Sequence, residues 1–367
     1  MRLPAFDYFE PSTVEEAVGL LVAHPGAMVV AGGTDLYPNM KRRQVGPAAL
    51  ISLGAVPGIA GITPHEDGAV QIGALTLLRD LASSAAAPAV LAHAAGEVAS
   101  PQIRNAATVG GNLCVDTRCN YINMTQEWRA AAGSCLKDGG DTCWVAPRGN
   151  ECVAVSSSDL APVAIALGAS VSLIGPGGER EIPVSALLQR DGVNHLTRAR
   201  DEIIVRVLVP PPNGTRASYR KLRRRGAIDF PILGVAVAVR TSEDGTLIDA
   251  RIVIGAVAAA PFRASEAEAA LIGRRLEPAV IEEAATLASQ PVRPLDNTDL
   301  GSRYRKWMAA TFVARALQDV SESPSGKRPP TTSGSSRLCS RTWPRATGLP
   351  SESRVTTACH SCCVRPW

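Results

Sequence analysis

Apolar residues recur at helical spacing in "STVEEAVGLLVAHPG", residues 12–26. Val14, Ala17, Val18, Leu21 and Val22 share one side, Ser12 and Glu15 stand at capping-box spacing, and Pro25-Gly26 stops the pattern. A helix is predicted there. "AMVVAGGTDL" then reads as a buried strand that turns sharply at Gly32-Gly33, with Thr34 and Asp35 placed to cap the next element. "AALISL" and "GAVQIGA" predict strands, and "TLLRDLASS" and residues 90–98 predict helices. "ASVSLIGPGGEREIPV" is a hairpin pattern around Gly-Pro-Gly-Gly, and "DEIIVRVLVPPP" is a strand closed by prolines.

The pattern changes beyond Pro212. "GVAVAVRTSEDGTLIDARIVIGAV" contains two β runs joined at Asp244-Gly245, and helical periodicity appears again near 263–273, 278–289 and 299–319. The chain therefore divides into a first domain over 1–212 and a second over 213–320, an α+β organisation without internal repeats. Residues 321–367 have neither period; rich in Ser, Pro, Thr and Arg, they read as a disordered tail. The abrupt change after Val320 also fits translation in a shifted frame. Its "CHSCC" matches no usual zinc spacing.

Charge alters the picture only through that tail. The whole chain carries +4, but residues 321–367 hold seven Lys or Arg and two Asp or Glu, leaving the first 320 with 31 basic and 32 acidic groups. No basic field points to nucleic acid. No apolar run reaches the roughly 18 residues that span a bilayer, and "MRLPAFDYFEPSTVEEAVGL" lacks the apolar core of a secretory signal. A cytoplasmic, reducing setting is expected, with disulfides disfavoured. His24, His65, His93 and His195 are scattered and suggest no acid–base pair.

Two glycine turns carry the first chemistry. In "VVAGGTDL" (Val29, Val30, Ala31, Gly32, Gly33, Thr34, Asp35, Leu36) a strand ends in residues without bulk, so backbone N–H groups can face a phosphate. "ATVGGNL" repeats the device with Ala107, Thr108, Val109, Gly110 and Gly111, and Asn112 adds an amide. Neither is a GxGxxG or a Walker loop, so a dinucleotide fold of the usual kind and a P-loop NTPase are disfavoured.

The second signal is a gathering of thiols. Cys119, Cys135, Cys143 and Cys152 lie between the second glycine turn and Asp159, in an insertion over 114–155. Thiolates suit iron–sulfur clusters and zinc. Zinc ribbons usually pair their cysteines two to four residues apart, so these single, widely spaced cysteines fit a four-iron cluster better, although spacing alone leaves zinc open. With Gly133, Gly139 and Gly140 and few apolar side chains, the insertion is expected to depend on its metal for order. Cys114 is read as a small structural residue beside the second glycine turn.

"VVAGGTDL", "PQIRNAATVGGNL", Asp159 in "SSSDLAPV" and Lys221 in "YRKLRRRGAIDFP" together resemble the FAD-binding subunits of the xanthine dehydrogenase and carbon monoxide dehydrogenase family of molybdenum hydroxylases. The resemblance covers about residues 1–320. It implies a two-subdomain FAD-binding domain of the PCMH (vanillyl-alcohol oxidase-like) type and an α+β C-terminal domain with an antiparallel sheet. FAD would rest its diphosphate on both glycine turns, with Asp159 and Lys221 as further polar contacts. The bland alternatives are Asp159 as a helix cap and Lys221 as part of a solvated run with Arg220, Arg223, Arg224 and Arg225.

The thiol-bearing insertion, led by "GGNLCVDTRCNYIN", is similar to that of the β subunits of 4-hydroxybenzoyl-CoA reductases, which implies a [4Fe-4S] cluster on Cys119, Cys135, Cys143 and Cys152. The implied function is electron transfer from a low-potential, ferredoxin-type donor to a small two-iron two-sulfur subunit and a large molybdenum-cofactor subunit, in a dimer of heterotrimers. The alternatives are the FAD subunit of another molybdenum hydroxylase, of carbon monoxide or xanthine dehydrogenase type, and a nucleotide-binding protein with a zinc staple.

Overall fold

The computed structural model describes residues 2–322. The expectations made for the tail beyond them, its cysteines included, lie outside the described residues. Three sheets organise the described residues. Asp7–Phe9 (β1), Met28–Val30 (β2) and Ala49–Ser52 (β3) form a small parallel sheet in the order β1-β3-β2. Parallel strands need a crossover, and the predicted first helix supplies it over Val14–Ala23.

That helix buries Val14, Ala17, Val18 and Leu21. Val22, expected on the same face, is exposed because it lies at the edge of the apolar arc. Its cap is displaced by one residue from the expected pair. Thr13 accepts from the Glu16 amide at 3.1 Å, while the Glu16 carboxylate reaches back to the Ser12 amide at 2.7 Å.

The second sheet is antiparallel: Ile62–Pro64 (β4), Val70–Gly73 (β5), Ser170–Gly175 (β6), Gly178–Pro183 (β7) and Ile203–Val209 (β8), in the order β4-β5-β8-β6-β7. The β6–β7 pair is the predicted hairpin. One core lies between this sheet and the helices Ala89–Glu97 and Leu160–Leu167.

The third sheet holds Arg216–Leu222 (β9), Leu233–Thr241 (β10), Leu247–Gly255 (β11) and Phe262–Arg263 (β12), also antiparallel, in the order β12-β11-β10-β9. Alternation divides β10 between two cores: Ala236 and Ala238 face the core of the helix Leu160–Leu167, whereas Val235, Val237 and Val239 face the helices Pro278–Ser289 and Ser302–Glu322. Arg305, fully buried in the last helix, donates to the carbonyls of Ala256 (2.7 Å) and Leu295 (3.0 Å) and so ties that helix to the end of β11. Among the described residues no helix is long and apolar enough to cross a membrane.

Candidate functional site

The first glycine turn leaves the end of β2 and enters the helix Leu36–Lys41. A Cβ at Gly32 would fall 1.8 Å from the Ala106 carbonyl oxygen, so the two glycine turns, distant in sequence, press together here. Gly33 has φ +66°, and a Cβ there would also strike the Tyr37 ring. Among the described residues the amides of Gly32, Gly33, Thr34 and Asp35 donate to nothing in the chain. These are the free donors expected of an anion seat.

The second turn behaves differently from the sequence expectation. Residues 109–113 form a short helix capped by Thr108, whose hydroxyl accepts from the Gly111 amide at 3.1 Å. The Gly110 amide donates to the Ala74 carbonyl at 2.8 Å, and Val109 to Thr76 at 3.0 Å. Apart from the amide of buried Thr108, the donors of this turn are thus spent within the chain. What remains for a ligand is bare backbone: Gly111 is exposed, and a Cβ there would approach only the Thr108 hydroxyl. Asn112 turns inward, its Oδ1 accepting from the Ser158 hydroxyl (2.8 Å) and the Leu160 amide (3.1 Å).

Asp159 and Lys221 meet each other. Strand alternation puts Tyr219 and Lys221 on one face of β9, against the start of the helix Leu160–Leu167. Lys221 Nζ lies 2.9 Å from one Asp159 oxygen, and the Tyr219 hydroxyl donates to the other at 2.7 Å. The two charged side chains are only 1% and 3% exposed. Burial, the largest influence, pushes the Asp159 carboxyl up and the Lys221 ammonium down, each opposed by the partner's charge.

Neither bland alternative describes this pair. Asp159 makes no capping bond; Ser158 does, accepting from the Ala161 amide at 3.0 Å. Lys221 is buried, and its basic neighbours have carboxylate partners: Arg220 with Asp319, Arg223 with Glu97, Arg224 with Asp299 and Arg225 with Asp229.

The insertion folds around its thiols. Cys119, Cys135, Cys143 and Cys152 line one apolar pocket together with Tyr121, Ile122, Leu136 and Trp144. Cys119, Cys143 and Cys152 are buried. Burial raises the Cys119 thiol and carries that of Cys152 to about 11. The insertion holds more apolar structure than its composition promised. Cys119, Ile122, Cys152 and Ala154 form a small core, and Trp144 packs edge to face against both Tyr121 and Trp128, with the Tyr121 and Trp144 ring centres 5.3 Å apart. A helix over Gln126–Ala132 supplies buried Arg129, which donates to the carbonyls of Met124 (2.7 Å) and Arg43 (2.8 Å) and pairs with Asp138. Among the described residues, no three His, Cys, Asp or Glu side chains converge closely enough to hold a single metal ion.

Comparison with known proteins places this geometry. Residues 4–212 match the family described as the FAD binding domain in molybdopterin dehydrogenase, and residues 217–320 match the CO dehydrogenase flavoprotein C-terminal domain. The chain belongs to the FAD-binding subunits of the molybdenum hydroxylases. It is 31% identical to the 6-hydroxypseudooxynicotine dehydrogenase complex subunit alpha of Paenarthrobacter nicotinovorans, over 86% of this chain and 95% of that one. It is 34% identical to the aldehyde oxidoreductase FAD-binding subunit of Escherichia coli K12, over 73% of this chain and 86% of that one. A solved chain of the carbon monoxide dehydrogenase of Hydrogenophaga pseudoflava superposes with a TM-score of 0.71 at 31% identity, covering 87% of this chain and 98% of that chain.

For a subunit of this family the flavin is the resident cofactor, and the residues fit it. Free amides at Gly32–Asp35 and uncovered backbone at Gly111 suit a diphosphate, and a side chain at Gly32 would collide with the second turn. The fold class read from the sequence, FAD-binding domain followed by an antiparallel α+β domain, is the one observed. Sequence reasoning missed Arg118, Lys137 and Tyr219, all of which engage predicted site residues or the pocket. For Arg118 a signal existed: it stands beside the first thiol in "DTRC".

Proposed function

We propose that the chain is the FAD- and [4Fe-4S]-bearing electron-transfer subunit of a molybdenum-containing 4-hydroxybenzoyl-CoA reductase. The observation that carries the proposal is that Cys119, Cys135, Cys143 and Cys152, far apart in sequence, all line one apolar pocket. A zinc ion bonds its thiolates at about 2.3 Å and draws four sulfurs tightly together. All four thiols line the same pocket, and their single, widely spaced places in the sequence suit a cluster better than the close pairs of a zinc ribbon. When bound, FAD and the cluster supply the redox chemistry; the chain supplies their seats, their separation from water and their electrostatic surroundings.

The proposed assembly includes a large molybdenum-cofactor subunit and a small two-iron two-sulfur subunit, in a cytoplasmic dimer of heterotrimers served by a ferredoxin-type donor. The overall reaction consumes 4-hydroxybenzoyl-CoA, two electrons and two protons, and yields benzoyl-CoA and water. Asp159 and Lys221 join the FAD site in this proposal as a buried, paired wall.

Metal analysis with a visible spectrum of anaerobically purified protein tests the reading. Iron, sulfide and flavin near 4:4:1 are expected, and zinc without iron sinks the cluster. The names of the relatives favour a second reading, a flavin subunit of carbon monoxide or xanthine dehydrogenase type acting in a hydroxylase. Reduction of 4-hydroxybenzoyl-CoA by the assembled complex with reduced ferredoxin separates the two, since that second reading predicts no benzoyl-CoA.

A further inference from the structure

We propose that Arg118 is a positioning residue that couples order in the four-thiol insertion to FAD binding at the first glycine turn. Arg118 precedes Cys119 and is joined to Val155 by two backbone bonds of 2.8 and 2.7 Å, so it belongs to the base of the insertion. Its side chain leaves that base and pairs with the carboxylate of Asp35. The side chain is 10% exposed, and its guanidinium carbon sits 4.3 Å from the centre of the Phe230 ring. As an arginine it is cationic at neutral pH.

Asp35 spends nothing on capping the helix it precedes. Besides Arg118, its carboxylate accepts from Asn39 Nδ2 at 3.1 Å and from the Asp116 amide at 3.4 Å. Asp116 is in turn held by Lys137 Nζ at 2.8 Å, and Lys137 lines the thiol pocket. The insertion therefore grips Asp35 at two points, and one of them leads back to the pocket wall.

The electrostatic consequence is direct. The free amides of Gly32 to Asp35 invite a diphosphate, but the Asp35 carboxylate is an anion in the same turn and opposes it unless neutralised. Arg118 neutralises it only while the insertion is ordered. An ordered insertion thus strengthens FAD binding, and by reciprocity FAD steadies the insertion.

The inference rests on the first turn being the flavin seat and is independent of which metal fills the pocket. The test is hydrogen exchange on the full-length chain, stripped of flavin and then given FAD, together with flavin-fluorescence titration. In the wild type, FAD should protect amides over 32–35 and also over 116–145. R118Q should raise the Kd for FAD about tenfold and abolish the protection over 116–145 while keeping that over 32–35. R118K, which keeps the charge without the planar stack, should recover part of both effects, and D35N in the R118Q background should restore affinity by removing the uncompensated anion.

Protection over 116–145 that is absent from the wild type or persists in R118Q overturns the coupling, as does R118K behaving like R118Q. Failure of the seat itself reads differently: FAD then leaves 32–35 unprotected in every variant.

Discussion

At the scale of single residues, the two glycine turns divide the work that the sequence assigned to both. The first holds a run of unused amides; the second has spent all of its own but that of Thr108 and keeps a bare surface at Gly111. Gly111→Val should lose FAD by occupying that surface, at a modest cost in stability, because its Cβ would fall 2.9 Å from the Thr108 hydroxyl that caps the short helix. A purified variant that keeps stoichiometric flavin would move the diphosphate elsewhere. Asp159 and Lys221 call for a different test because each neutralises the other. Asp159→Asn or Lys221→Met alone strands a buried charge and should cost about 3–5 kcal/mol in denaturant unfolding. The double variant should recover most of that stability. If it also keeps FAD, the pair is a structural wall; loss of flavin from the stable double variant supports the cofactor contact.

At the scale of elements, the insertion is a folded unit with its own polar hinge. Arg129 joins its helix to the carbonyls of Ile122 and Met124, to Asp138 across the thiol-bearing loop, and to the carbonyl of Arg43, whose φ of +58° is held in part by that bond. Arg129→Ala should loosen this corner, lower metal content at least severalfold and open the 133–142 stretch to protease, with the melting transition of the sheets little changed. A variant that keeps full metal and resists cleavage would place the order of the insertion in its aromatic cluster instead. Little of this was legible in the sequence. Alternation disclosed β8, β10 and β11 because a strand buried on one face or both repeats every two residues, but the helix at Gln126–Ala132 is too short for periodicity to separate from loop. "VGGNL" reads as a turn because its glycines dominate local preference, yet it folds as a helix because Thr108 caps it and Ala74 receives its amide. The contact of Gly32 with Ala106 and the pairing of Asp35 with Arg118 join residues more than seventy positions apart, and no local pattern encodes such distances.

At the scale of the whole molecule, the proposed function places two cofactor seats on one frame. The flavin turns belong to the sheets, whereas the thiols belong to the insertion, and Arg118 with Asp116 provides the polar joint between them at Asp35. Cys143→Ala removes one buried thiol of the four and should prevent stable cluster assembly, since a missing ligand leaves one corner of the metal body to solvent. The apolar core of the insertion and Arg129 keep it from unfolding wholly, so Arg118 retains part of its hold on Asp35. FAD should therefore remain at saturating concentration but bind several-fold more weakly than in the wild type. Reduction by a low-potential protein donor should slow sharply in the assembled complex, while dyes that meet the flavin directly continue to react. Retention of iron with undiminished donor activity would remove Cys143 from the ligand set. Complete loss of flavin, even with excess FAD, would make the insertion a clamp on the flavin domain instead of a separable electron-transfer module.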